Sequence, residues 1–66
     1  MTNKEVVQKL GLKKGDKIKL IKISSHPELS GRSGTIFAIT YDYQLQGNWG
    51  SWFIVPSIDE IEKISD

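Results

Sequence analysis

Lys14-Gly15-Asp16-Lys17-Ile18-Lys19-Leu20-Ile21-Lys22-Ile23, a polar run, and then Ser30-Gly31-Arg32-Ser33-Gly34-Thr35-Ile36 form the stretch that decides the fold. It reads as a turn, a curved strand, a long loop, a glycine-bracketed turn and a second strand. Strand one is predicted over residues 17–24. Ile18 and Leu20 share one face at period two. Ile21 and Ile23 take the opposite phase, as happens where a strand bends or carries a bulge at a barrel corner. Lys17, Lys19 and Lys22 then point mostly to solvent. Residues 24–33 are polar and contain His26-Pro27, whose proline favours an extended residue before it. Gly31 and Gly34 bracket Arg32-Ser33, as a tight turn with positive φ requires. Strand two is predicted over residues 35–41, rich in β-branched and aromatic side chains. The pattern points to a small β-barrel and names no reaction.

Toward the N-terminus, residues 2–10 are predicted to form a short helix. Thr2 and Glu5 have capping-box spacing, Val6, Val7 and Leu10 share one side, and Gly11 suits a left-handed C-terminal cap. Two turns are unstable alone, so this helix must pack over one end of the barrel; the alternative is a frayed arm. Residues 12–16 read as the turn into strand one.

Toward the C-terminus, Tyr41-Asp42-Tyr43 carries a reversal without a glycine. Strand three then starts near Tyr43, and strand four ends at Val55. Gly47-Asn48 or Gly50-Ser51 supplies the two-residue turn between them, with Gly50-Ser51 preferred because it gives strand three a length matching strand two. Pro56 ends the ladder because it cannot donate. Residues 57–60 look like one helical turn and 61–64 a closing strand. Ile58, Ile61 and Ile64 recur every three residues, which fits a short C-terminal helix as well. Five short strands at this spacing argue for a barrel. The expected organisation is one all-β domain spanning residues 1–66, with the helix at about 2–10 and the barrel at about 12–64.

The chain has 66 residues, so its core is thin: a domain of this size buries only about 60% of its unfolded surface. Cysteine is absent, which fits a reducing, cytoplasmic location, and the N-terminus lacks the apolar run of a signal peptide or membrane span. Net charge is +1. Residues 1–34 carry eight basic and three acidic groups, a balance of +5, whereas residues 35–66 carry one basic and five acidic, a balance of −4. A basic face would steer an anionic partner; the alternative is two solvated faces that balance each other.

Gly15-Asp16-Lys17-Ile18-Lys19-Leu20, followed by Leu29-Ser30-Gly31-Arg32-Ser33-Gly34-Thr35-Ile36, resembles the KOW-type motif of SH3-like barrels. Gln44-Leu45-Gln46-Gly47-Asn48-Trp49 and the ending Ile54-Val55-Pro56-Ser57-Ile58-Asp59-Glu60-Ile61-Glu62 are similar to a narrower family. Its members are short, uncharacterised SH3-like domains, common in phage and mobile-element genes of Gram-positive bacteria. The resemblance covers residues 12–64 and implies a five-stranded SH3-like barrel. That narrower family has no established activity to carry over, and fold does not imply function. KOW relatives in ribosomal and transcription proteins bind RNA or protein. This chain departs from them where their basic loop is replaced by Ser24-Ser25-His26-Pro27-Glu28.

Chemistry is hard to build from these residues. His26 is the single histidine, in a polar loop, and no thiol accompanies it. Asp59, Glu60 and Glu62 sit in an acidic terminal segment expected to face water, where carboxylates keep ordinary pKa values. No metal-ligand spacing or phosphate loop is present, so no catalysis, cofactor, metal or small-molecule substrate is expected. The aromatic group is more informative. Tyr41, Tyr43, Trp49, Trp52 and Phe53 fall within thirteen positions. Trp52 and Phe53 are neighbours and must face opposite sides of a strand, so at least one ring is expected at the surface. The plain structural alternative has Trp49 and Phe53 filling the barrel while Trp52 and the tyrosines cover a seam.

Two binding functions follow. In one, Lys17, Lys19, Lys22 and Arg32 contact nucleic-acid phosphates while Tyr41, Tyr43 or Trp52 stack on bases. In the other, the rings form the hot spot of a protein-interaction module, such as a phage accessory or inhibitor protein acting on a host protein. Rings and lysines on one face favour the first; rings apart from the lysines favour the second.

Overall fold

The computed structural model describes residues 2–64. Helix α1 (Asn3–Leu10) is followed by β1 (Lys17–Lys22), a 3-10 turn (Pro27–Leu29), β2 (Ser33–Ile39), β3 (Leu45–Gly47) and β4 (Glu60–Ile64). The four strands form one antiparallel sheet in the order β3-β2-β1-β4.

β1 is the centre of the sheet because it alternates. Ile18 and Leu20 are fully buried, while Lys17 and Lys19 face out. On β4, Ile61 lies opposite Leu20, but Glu60 lies opposite Lys22, so Ile21 is an extra residue in β1. This bulge is the predicted phase change. It leaves Ile21 at the surface and returns Ile23 to the core at 1% exposure. Ile18, Leu20, Ile23, Leu29, Ile36, Leu45 and Ile54 are the largest fully buried side chains, and Val7, Leu12 and Trp49 join them.

α1 has the expected capping box. Thr2 Oγ1 accepts from Glu5 N–H at 3.1 Å, and Glu5 Oε1 accepts from Thr2 N–H at 2.8 Å. The backbone bond, then the hydroxyl bond, from Thr2 hold the Glu5 carboxyl below its usual range. A depressed carboxylate supports the fold above its unfolded pKa, and that support is lost as pH falls through the folded value. Gly11 closes the helix with φ +66°. Asn3 then anchors the helix start: its Oδ1 accepts from Ser57 N–H at 2.9 Å and its Nδ2 donates to Asp42 O at 3.2 Å. The helix is therefore tied down, not a frayed arm.

Several expectations are corrected. Gly31 has φ +89° and turns the chain, but Gly34 lies within β2 with no positive φ. Its lack of a Cβ serves packing instead. The 41–43 reversal is a three-residue hairpin loop: Thr40 N–H donates to Gln44 O and Tyr43 N–H to Thr40 O, both at 2.9 Å. Tyr43 occupies the left-handed position, with φ +63°, where glycine is usual. Strand three starts at Leu45, not near Tyr43, and ends at Gly47, and no two-residue Gly50-Ser51 hairpin follows. The chain instead returns through a wide loop, and Ile54 pairs with Leu45 in an isolated bridge with bonds of 2.9 and 2.8 Å. Four strands plus this bridge stand where five strands were expected, and the sheet is not closed.

The C-terminal end is a strand, not a helix. Ile58 and Asp59 N–H both bond Val55 O, giving one turn before β4. The closing strand is as expected, and Asp59 is the correction there. It does not face water but is 5% exposed. Its carboxylate accepts from Ser24 N–H at 3.0 Å and Val55 N–H at 2.9 Å, stitching the loop after β1 to the turn before β4. A buried carboxylate is tolerated when backbone donors meet it in this way.

Candidate binding surface

The wide loop after β3 carries both tryptophans of the chain, and glycines position each ring. Trp49 is 6% exposed and lies across Gly34 and Gly47. A Cβ on Gly47 would stand 2.4 Å from both Thr35 O and the Trp49 ring; one on Gly34 would stand 2.8 Å from that ring. Neither strand could approach the indole so closely with a side chain in the way. Trp49 Nε1 donates to Trp52 O at 2.9 Å, so the buried indole also satisfies its polar atom and shapes the loop. Asn48 Oδ1 accepts from Thr35 N–H at 2.9 Å, extending the anchorage to β2.

Trp52 is placed differently. Its ring lies over Gly50, whose φ of +137° bends the loop, and beside the His26 ring at a centroid distance of 4.5 Å and a tilt of 42°. Trp52 remains 40% exposed and its neighbour Phe53 43%. Phe53 does not fill the barrel. The expectation that the two rings face opposite sides assumed a strand, and residues 52–53 are not in one. The result is a half-exposed ridge of Trp52 and the His26 ring, built where the loop after β1 meets the loop after β3, with half-exposed Phe53 next in the chain. His26 Nδ1 also lies 3.2 Å from Ser25 Oγ.

The basic residues stand elsewhere. Lys17 and Lys19 project from the outer face of β1, opposite Thr35 and Ser33 on β2 and Ile64 and Glu62 on β4. Lys22 lies opposite Glu60. The charge polarity of the sequence is therefore undone in space, because the basic strand and the acidic strand are neighbours. Lys63, the acidic half's only cation, turns to the other face, 3.5 Å from Asp16 Oδ2 and 3.3 Å from Gly11 O at the end of α1. Arg32 is exposed just before β2. The segment at Ile54 is separated from β1 by β3 and β2. Trp52 and Phe53 are therefore not strand neighbours of the lysine row, although Trp52 meets His26 in the loop that follows β1. A shallow polar groove of about 290 Å³ does border that row, lined by Lys17, Ser33, Gly34, Thr35 and Asn48.

The tyrosines separate from one another as well. Tyr41 is 97% exposed at the tip of the β2–β3 hairpin, whereas Tyr43 packs against the core. The hairpin is held by Thr40, whose Oγ1 accepts from Gln44 N–H at 3.0 Å and donates to Asp42 Oδ1. Of the candidate residues, Lys17 and Lys19 share one row, while Trp52 stands with His26. His26 was missed as the partner of Trp52; no short-range pattern links residues 26 and 52. Among the described residues, no three His, Cys, Asp or Glu side chains stand close enough to hold a metal ion. No helix among them is long and apolar enough to cross a membrane.

No protein-family model matches the chain, and no curated protein and no solved structure is significantly similar to it.

Proposed function

We propose that this chain is a non-enzymatic module that binds a protein partner through the ridge of Trp52 and His26. The observation that carries this reading is the half-exposed Trp52 ring held against His26 in an anchored loop, combined with the glutamates set opposite Lys19 and Lys22, which offset the charge of the lysine row. Half-exposed Trp at the centre of a preorganised loop has the character of a binding hot spot. The loop is preorganised because Trp49 anchors it to two glycines and Asn48 ties it to β2. Binding there orders little that is not already ordered. The finer reading of the fold belongs here too. If the bridge at Ile54 marks a short fifth strand, the sheet order fits an SH3-like barrel with α1 over one end. The motif resemblance then supports a cytoplasmic phage or mobile-element accessory protein acting on a host protein.

Affinity capture from a Gram-positive lysate, comparing the native chain with Trp52→Ala, tests the reading. Loss of a hot-spot ring costs more than about 1 kcal/mol of binding. Capture that Trp52→Ala leaves untouched removes the ridge from the proposal.

The polar groove beside Lys17 supports a second reading, nucleic-acid binding. There Lys17, Lys19, Lys22 and Arg32 contact phosphates, and Tyr41 or Trp52 stacks on bases, while Tyr43, packed against the core, is withdrawn from that role. Such contacts make affinity fall steeply with salt. Fluorescence anisotropy of labelled single-stranded RNA and DNA at two salt concentrations separates the readings. Salt-insensitive binding, or none at low salt, discards the phosphate contacts.

A further inference from the structure

We propose that the free edge of β4, with the groove beside it, takes an extended basic segment of a partner protein as an added strand. The proposal rests on the reading of the chain as a protein-binding module, but it uses a surface other than the Trp52 ridge.

The hydrogen-bond alternation of β1 shows which backbone groups are free. Leu20 N–H bonds Arg32 O at 2.7 Å, and Gly31 N–H bonds Leu20 O at 2.6 Å, so Leu20 pairs toward β2. Ile36 N–H bonds Asp16 O at 2.9 Å in the same sense. Even-numbered residues of β1 thus bond β2, and Lys17 and Lys19 bond β4 through their partners Ile64 and Glu62. Alternation then turns the N–H and C=O of Ile61 and Lys63 away from β1, toward the sheet edge. Among the described residues, no backbone group bonds them there. An unpaired edge is a template for another strand.

A second, independent feature lies beside that edge. A groove of about 230 Å³ runs between α1 and the start of β4, lined by the apolar Val6, Leu10, Pro56 and Ile61 and by the charged Lys9, Asp59 and Glu60. A strand added to β4 would place alternate side chains over this apolar floor.

Charge selects the occupant. On the outer face, Glu60 and Glu62 are exposed; Lys22 and Lys19 meet them from β1, and their other side is the free edge. A second copy is a poor fit. Two-fold antiparallel pairing through the free groups sets Ile61 against Lys63 and Glu62 against Glu62. The glutamates would form the non-hydrogen-bonded pair, where side chains are closest and like charges repel. Lysine or arginine opposite Glu62, alternating with an apolar residue for the groove, meets both requirements.

The test uses the isotopically labelled full chain and two end-blocked hexapeptides, one alternating lysine and valine, the other glutamate and valine. Amide hydrogen exchange is read residue by residue. At saturating lysine–valine peptide, exchange at Ile61 and Lys63 should slow by about tenfold or more, while Glu62 and Ile64, already bonded to β1, change little. Glu62→Lys, at an exposed position, should transfer the preference to the glutamate–valine peptide. The proposal is overturned if Ile61 and Lys63 stay unprotected up to the solubility limit of the lysine–valine peptide, or if both peptides protect the native chain equally. Protection that rises with protein concentration alone assigns the edge to a second copy and overturns the basic occupant. Trp52→Ala is run in parallel. Retained β4 protection with lost partner capture keeps both surfaces, and retained protection with unchanged capture sinks the Trp52 reading alone. Lost protection in Trp52→Ala merges the two surfaces and overturns a separate edge site.

Discussion

Trp49 and Trp52 sit three positions apart in one loop and share a hydrogen bond, yet one is core and the other surface. What separates them is the backbone each ring meets. Trp49 lies on Gly34 and Gly47, which belong to two paired strands, so its ring is clamped by the sheet. Trp52 lies on Gly50, in its own loop, and its other ring contact is an intermediate-exposure histidine from a second loop. A glycine inside a strand lets a large ring become part of the core; a glycine in the loop only lets the ring fold back. The contrast explains how a thin core gains an anchor while the same loop keeps a half-exposed ring at the surface.

Truncating the clamped ring should have the largest effect. Trp49→Ala is expected to destabilise the fold by about 3–5 kcal/mol, read from the denaturant midpoint, because it empties a site between two strands. A loss below that of an exposed residue would show that the ring is not a core element. Next comes the clamp itself. Gly47→Ala puts a Cβ against Thr35 O, which the β2–β3 pairing holds in place, and should cost about 1–3 kcal/mol. Gly34→Ala meets the Asn48 side chain and the Trp49 ring edge, which have some room to yield, so it should cost less than Gly47→Ala. Reversal of that order would mean that the ring, not the backbone oxygen, limits the approach.

Gly50→Ala should fall lower still, at roughly 1 kcal/mol, from its positive φ. Its Cβ would displace the Trp52 ring from His26. The tryptophan emission spectrum should then shift as the Trp52 ring leaves His26, and an unchanged spectrum would deny the ring contact. Smallest of all is Trp52→Ala, expected to change stability by no more than about 1 kcal/mol, the scale of one exposed aromatic pair. A larger loss would make Trp52 a structural residue and deprive the ridge of its spare ring.

Much of the scaffold was legible in local patterns. Thr2 and Glu5 announced the helix start, because a capping box needs only the residues it joins. Ile18, Leu20 and the following change of phase announced a bulged strand, because strand periodicity is a property of neighbours in the chain. The hairpin at residues 41–43 was placed correctly without a glycine, although nothing marked Tyr43 as its left-handed residue. Gly34 and Gly50 were read as turn formers, the usual local meaning of glycine, when each also makes room for an indole.

What local pattern could not carry was every feature that joins distant segments. Asp59 looked like one acid among several, and it is buried because Ser24 and Val55 offer it backbone donors. The opposed charges of the two halves looked like a polar molecule, until the β1–β4 register set Lys19 against Glu62 and Lys22 against Glu60. His26 and Trp52 meet across two loops, twenty-six positions apart in the chain. Periodicity and capping act over a few residues and are written in composition and spacing. Burial, charge pairing and the exposure of a ring depend on which strand becomes whose neighbour, and that is set when the whole chain packs.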